Sequence, residues 1–290
     1  MRFDQLTPTL WVAQSPIYAM NVGVWLHGGA ACLIDPGMLP DEIEQVAAFL
    51  AEHEAAPHAV VITHSHYDHL LGARSFPGAT VVAQANYEIE VQRDGPRIQQ
   101  MLWREGIVPA GRPFDIPQPD VTFVDTMALE VGELTIHLAH APGHAADELV
   151  LYEPGTATLW AGDMLSDVEI PLVSDALAPY ERTLEMLAGY ELHALVPGHG
   201  RPTADAAEAR RRLDNDRQYL AALHTNAAGA IQEGLSLEQT VSRCAAQPLA
   251  CPGNEAMHRL NVESAYAELG GPADPANVGW GRAWKEMLEA

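Results

Sequence analysis

The sequence predicts a mixed α/β fold, sheets covered by helices and followed by a helical C-terminal part, and three observations carry that reading. Through the first 200 residues, short apolar runs alternate with longer segments of helical periodicity. Gly, Pro or Asp stands near the ends of most of those runs, where strands turn. From about Thr203 onward the pattern becomes nearly continuous helix.

The strand-like runs are Leu10–Ala13, Asn21–Leu26, Ala31–Ile34, Ala59–Ile62, Thr80–Val82, Leu134–Ala139, Leu149–Tyr152, Thr158–Trp160 and Ala194–Val196. Between them, Leu39–Glu52 sets Ile43, Val46, Ala47 and Leu50 on one helical face. Pro179–Leu192 does the same with Leu184, Leu187 and Ala188. The helical tail reads as Asp205–Thr225, Ser236–Ala246 and Asn254–Gly270, the second opened by a capping box of Ser236 and Gln239. The segment Ala85–Pro119 is the least regular, helix-like only around Ile98–Arg104 and Pro-rich from Pro109 to Pro119. Such long connections are usually functional or mobile, so a substrate lid is one reading of it. Met101, Leu102 and Trp103 then either line a pocket or pack onto the core. The expected division is a catalytic domain over 1–203 and a helical extension over 204–290 packed on it.

Composition narrows the function. With 48% hydrophobic and 19% charged residues, 290 residues are enough to bury a full core. The N-terminus has no basic start followed by an apolar run, and no apolar stretch approaches the roughly 20 residues that span a bilayer. A soluble, cytoplasmic protein with no membrane partner is expected. Acidic residues number 39 against 16 basic ones, a net charge of −23, which argues against nucleic acid and polyanionic substrates. The expected partner is a small-molecule substrate, with a homodimer an open option for the apolar tail. Cys32, Cys244 and Cys251 lack CxxC spacing, so neither a disulfide framework nor a thiolate zinc site is expected.

The chemistry is concentrated in Thr63-His64-Ser65-His66-Tyr67-Asp68-His69, which follows a strand-like run. Imidazole and carboxylate are the usual ligands of zinc, iron and manganese. Three histidines and an aspartate this close are costly to bury unless paired or metal-bound. Further candidates end other strand-like segments: His144 after Gly143, Asp163 after Gly162, and His199 after Gly198. Each preceding glycine lets the backbone turn sharply against a site. The remaining histidines carry no such context, although His140 is near enough to His144 to support it. Tyr67 is expected to shape the cavity wall, and Tyr180 is a candidate to reach substrate.

HxHxDH over His64–His69, then His144, Asp163 and His199 in that order, resembles the metallo-β-lactamase superfamily over roughly residues 8–203. Leu33-Ile34-Asp35-Pro36-Gly37 resembles a further element of that family, and the helical tail resembles its glyoxalase-II-like members. The resemblance implies a four-layer αββα sandwich with a C-terminal helical extension. It implies two divalent metal ions per chain, zinc first, with iron or manganese as alternatives. His64, His66 and His144 would hold one ion, Asp68, His69 and His199 the other, and Asp163 would bridge them. A bridging hydroxide would attack a carbonyl polarised by a metal, with Asp68 as a secondary proton handler and Asp35 orienting a ligand imidazole. The expected reaction is hydrolysis of a carboxylic ester, thioester or lactone, glyoxalase-II-like or lactonase-like. The acidic, apolar stretch Met164–Ile170 and the single lysine, Lys285, fit an uncharged substrate better than glutathione. The same resemblance leaves open a persulfide dioxygenase-like oxidoreductase on one iron, which needs only two histidines and an aspartate. A binding protein with a dead site is disfavoured, since every ligand position is filled.

Overall fold

All nine expected strand segments form strands in the computed structural model, which describes residues 1–289. The chain divides into two units that interleave along the sequence. The first comprises Met1–Ala141, Asp147–Gly162 and Glu191–Ala209, and the second Pro142–Ala146, Asp163–Tyr190 and Arg210–Ala290.

The first unit contains both sheets. One runs β1 (Phe3–Gln5), β2 (Leu10–Gln14), β3 (Asn21–His27), β4 (Ala30–Ile34), β5 (Ala56–Val61), β6 (Thr80–Gln84), β7 (Val121–Phe123) in spatial order. It is antiparallel up to β4 and parallel from β4 to β7. The other is ordered β12 (Ala194–Val196), β11 (Thr158–Trp160), β10 (Leu149–Glu153), β9 (Leu134–His140), β8 (Thr126–Val131). The central strands of the first sheet are apolar on both faces because both are covered. Val22, Val24, Leu33, Val60 and Val81 pack with α1 (Pro40–Glu52) and α2 (Tyr87–Arg104) through Val46, Leu50, Tyr87 and Leu102. The alternate residues Trp25, Cys32, Ile34, Val61 and Val82 meet Ile136, Leu138, Leu149, Leu151 and Trp160 of the second sheet.

Two parts of this unit depart from the sequence reading. Residues 85–119 are not largely irregular, because α2 covers Tyr87–Arg104 with Pro96 inside it. Leu102 packs in the core, whereas Trp103 donates its indole N–H to the Arg112 carbonyl at 2.7 Å. The short strands β1, β7 and β8 also went unpredicted, since their exposed polar faces hide the apolar alternation.

The second unit is helical: α3 (Leu177–Ala188), α4 (Ala206–Gln232) from Arg210 onward, α5 (Leu237–Cys244), α6 (Glu255–Glu268) and α7 (Gly279–Glu289). α3 stops at Gly189 rather than Leu192, α4 runs seven residues past Thr225, and α7 is additional. The expected capping box does open α5, with Ser236 accepting from Gln239 N–H. Buried Asn261 ties the unit together. It accepts from Val173 N–H and the Trp280 indole, each at 2.9 Å, and donates to the Pro171 carbonyl and the Tyr219 hydroxyl. Glu268 caps α3 by accepting from Leu177 and Ala178 N–H. Cys32, Cys244 and Cys251 are buried and unbridged. Among the described residues no helix is long and apolar enough to cross a membrane.

A buried carboxyl gives this unit a pH signature. Asp216 accepts from Leu165 N–H at 3.0 Å, and burial pushes it up to about 8. The folded chain therefore keeps a proton that the unfolded chain releases near its ordinary value of 3.8. Stability from this group is fully present below pH ~4, falls as pH rises, and levels off above about 8. Asp216→Asn keeps an acceptor for Leu165 and removes the titration. Melting curves from pH 5 to 8.5 should fall less steeply for the variant than for the parent, and equal slopes would rule the assignment out.

Candidate metal centre

The two parallel strands β4 and β5 end side by side, and the loops leaving them supply the first cluster of site residues. Asp35 follows β4 in a left-handed conformation, φ 43°, which aspartate tolerates better than most residues. Its carboxylate, fully buried, accepts from Thr63 N–H at 2.9 Å, Thr63 Oγ1 at 2.7 Å and His69 Nδ1 at 2.9 Å. Thr63 Oγ1 also lies 3.1 Å from His64 Nδ1. One buried aspartate thus fixes the start of the motif and the ring at its end.

With Nδ1–H donated to Asp35, His69 carries its lone pair on Nε2, 3.6 Å from Asp68 Oδ2. His199 is fixed in the same way. Its Nδ1 donates to the Tyr18 carbonyl at 3.0 Å, and its Nε2 stands 3.3 Å from the same Asp68 oxygen. Ligand atoms of Asp68, His69 and His199 all lie within 4.8 Å of one another, and all three residues are buried. Two ring lone pairs and a carboxylate facing one another repel unless a cation or proton stands among them. Two imidazole nitrogens and one carboxylate oxygen form a donor set that suits zinc, iron or manganese. The residues fit a divalent metal.

His64 and His66 stand beside this cluster. The ring centroids of His64 and His66 are 4.5 Å apart, and those of His64 and His69 are 4.2 Å apart. The buried Glu148 carboxylate approaches His64 Nδ1 at 4.0 Å. Gly162 precedes Asp163 with φ 56°, a left-handed conformation that glycine adopts without strain, and it passes close to the Glu148 carboxylate.

In the second unit, His144 Nε2 and Asp163 Oδ2 are 3.5 Å apart. The His144 loop is held by α3 and the residues leading into it. Gly143 O accepts from Asp175 and Ala176 N–H at 3.3 Å, Pro142 O from the Thr183 hydroxyl at 2.7 Å, and His144 O from the Ser174 hydroxyl. Gly143, φ 143°, lies so close to Tyr180 that a Cβ would come within 2.3 Å of it. Tyr180 is wholly buried against Gly143, the neighbour of His144. Tyr67 is half-buried and hydrogen-bonded to Tyr18. Sequence reasoning missed Tyr18, Gln14 and Asn21, which hold the His199 loop and stand some 180 residues away from it. No local motif marks them.

The chain belongs to the metallo-beta-lactamase superfamily, which it matches over residues 17–199. It is 22% identical over 218 residues to a linear primary-alkylsulfatase of Pseudomonas sp. (strain ATCC 19151), covering 72% of this chain and 41% of that protein. It is 26% identical over 207 residues to the acyl-coenzyme A thioesterase MBLAC2 of Gallus gallus, covering 62% of this chain and 72% of that one. Among solved structures, the inverting sec-alkylsulfatase Pisa1 of Pseudomonas sp. superposes with a TM-score of 0.73 at 18% identity, over 95% of this chain and 51% of that one. A metallo-beta-lactamase from Pontibacter korlensis gives 0.58 at 19% identity, over 75% and 98%. The chain thus spans about half or less of the alkylsulfatases it resembles, and the fold is that of the metallo-β-lactamases.

Proposed function

We propose that this protein is a hydrolase that uses two divalent metal ions, zinc first, to cleave a carboxylic ester, thioester or lactone in a small-molecule substrate. The observation that carries this reading is the Asp68–His69–His199 cluster, in which the Nδ1 of both rings is engaged and both Nε2 atoms face one carboxylate. In this reading His64, His66 and His144 would hold the other ion and Asp163 would serve as a shared ligand, an assignment taken from the family's motif order. Two such ions, when bound, lower the pKa of water and polarise a carbonyl oxygen.

The chain's own residues orient and protect that chemistry. Asp35 keeps His69 in one tautomer, and the Tyr18 carbonyl does the same for His199. Asp68 is the carboxylate nearest to moving a proton at the cluster, beside its role as ligand. A net charge of −23 and the acidic stretch after Asp163 favour an uncharged acyl portion over glutathione. The thioesterase relatives support the thioester member of the set. The alkylsulfatase relatives favour a second reading, hydrolysis of an alkyl sulfate ester at the same centre. We further propose a cytoplasmic enzyme with no nucleic-acid or membrane partner.

The test is metal content on protein purified without chelators, followed by turnover of matched carboxylic ester, thioester, lactone and alkyl sulfate substrates. Close to two ions per chain and turnover of an acyl substrate are expected. Turnover of the alkyl sulfate alone would move the assignment to the second reading. A single iron with oxygen consumption would instead select the persulfide dioxygenase-like alternative. No metal uptake even after reconstitution would refute a metal-dependent hydrolase.

A further inference from the structure

The segment leading into β3 carries a conformational oddity that core packing does not explain. Tyr18 and Ala19 are consecutive left-handed residues, φ 57° and 53°, and neither is glycine. The left-handed region is disfavoured for side chains with a Cβ, and two such residues in succession persist only where the surroundings over-determine them. Tyr18 is 47% exposed, so the strain does not serve to bury it. What the strain achieves is visible on the main chain. With both residues left-handed, the carbonyl between them points at His199 and accepts from Nδ1 at 3.0 Å.

A clasp holds the turn in that conformation. Met20 and His199 form an antiparallel bridge. Asn21 N–H donates to Gly198 O at 2.7 Å, and Gly200 N–H donates to Ala19 O at 3.0 Å. The buried Asn21 amide donates to Pro197 O and Gly200 O, both at 2.8 Å, and Gln14 Nε2 donates to Gly200 O at 2.7 Å. Strips 18–21 and 197–200 are thereby locked together on both sides of the ligand ring.

We propose that Tyr18 is a positioning residue for the second metal: its strained turn presents the carbonyl that fixes His199 with Nε2 toward Asp68 and His69. The inference rests on those three residues holding a metal, as proposed above. It assigns the role to the Tyr18 main chain rather than to its phenol. Groups that orient a ligand imidazole are typically worth about 10–100-fold in metal affinity.

Two substitutions at one position separate the alternatives. Tyr18→Gly adopts the observed φ without strain and keeps the carbonyl, while losing the ring. Tyr18→Pro forces φ near about −65° and turns the carbonyl away. The full-length chain, stripped with a chelator and dialysed, is titrated with zinc by calorimetry, and with cobalt(II) to follow the ligand-field spectrum. Tyr18→Gly should bind both ions with wild-type affinity. Tyr18→Pro should bind the first normally and the second at least ~10-fold more weakly. Should the proline variant misfold by circular dichroism, Gln14→Ala loosens the clasp from an exposed position and should weaken the second ion by ~3–10-fold. Wild-type affinity for the second ion in the folded proline variant, or in Gln14→Ala if proline misfolds, overturns the inference. Equal loss in the glycine and proline variants overturns it too, because the phenol would then be the group that matters. A wild-type chain that binds one ion in total fails the two-metal reading itself, and the inference with it.

Discussion

Asp68→Ala should reduce bound metal from two ions to one per chain and lower turnover by at least about 10²-fold. The carboxylate is the only acidic member of the Asp68–His69–His199 group, with one oxygen 3.6 Å from His69 Nε2 and 3.3 Å from His199 Nε2. Without it the remaining donors are two neutral imidazoles, and a divalent cation loses the charge that offsets its desolvation. If Asp68 also handles a proton, as proposed, activity falls by both routes. The stoichiometry separates them. Asp68→Asn retains an oxygen donor while removing the charge and the basicity. It should bind the second ion more weakly than wild type yet better than the alanine variant, with turnover as low as alanine's. Metal analysis by mass spectrometry and a single ester assay measure both. An alanine variant that keeps two ions and full turnover would remove Asp68 from the centre.

The candidate metal cluster was legible because its chemistry is local. His64, His66, Asp68 and His69 lie within six residues, and burying that many polar groups without partners is too costly for a packing explanation. β3 to β6 were legible for a related reason, since a strand covered on both faces reads as an unbroken apolar run. What the sequence could not show was held by long-range contacts. α2 was read only in its last turns because Gly95 and Pro96 interrupt a helix whose buried residues, Tyr87, Val91, Ile98 and Leu102, are stabilised by the sheet beneath them. Tyr18 looks like an ordinary loop tyrosine until the His199 ring is brought to its carbonyl. Asp35 lies between these extremes. The family resemblance predicted that it orients a ligand, but its hold on Thr63 appears only when β4 and β5 pair.

Asp35→Ala should destabilise the metal-free chain by about 3 kcal/mol and lower its melting temperature by roughly 6–12 °C. Three buried donors lose their acceptor together: Thr63 N–H, Thr63 Oγ1 and His69 Nδ1. Each unsatisfied buried group costs about 1–3 kcal/mol. Removing a buried carboxylate recovers part of that sum, which keeps the net below the simple total. Alanine also tolerates φ 43° less well than aspartate, so the backbone adds to the loss. The chemical consequence is distinct from the thermal one. Freed from Asp35, the His69 ring can move its proton to Nε2 or rotate, and the second ion should bind about 10–100-fold more weakly. Asp35→Asn tests the link between the two. Its amide oxygen accepts one donor while its NH2 confronts another, so stability should recover in part and metal affinity hardly at all. A melting temperature and second-ion affinity both unchanged in Asp35→Ala would mean that the Asp35–Thr63–His69 contacts neither stabilise the fold nor orient the ligand.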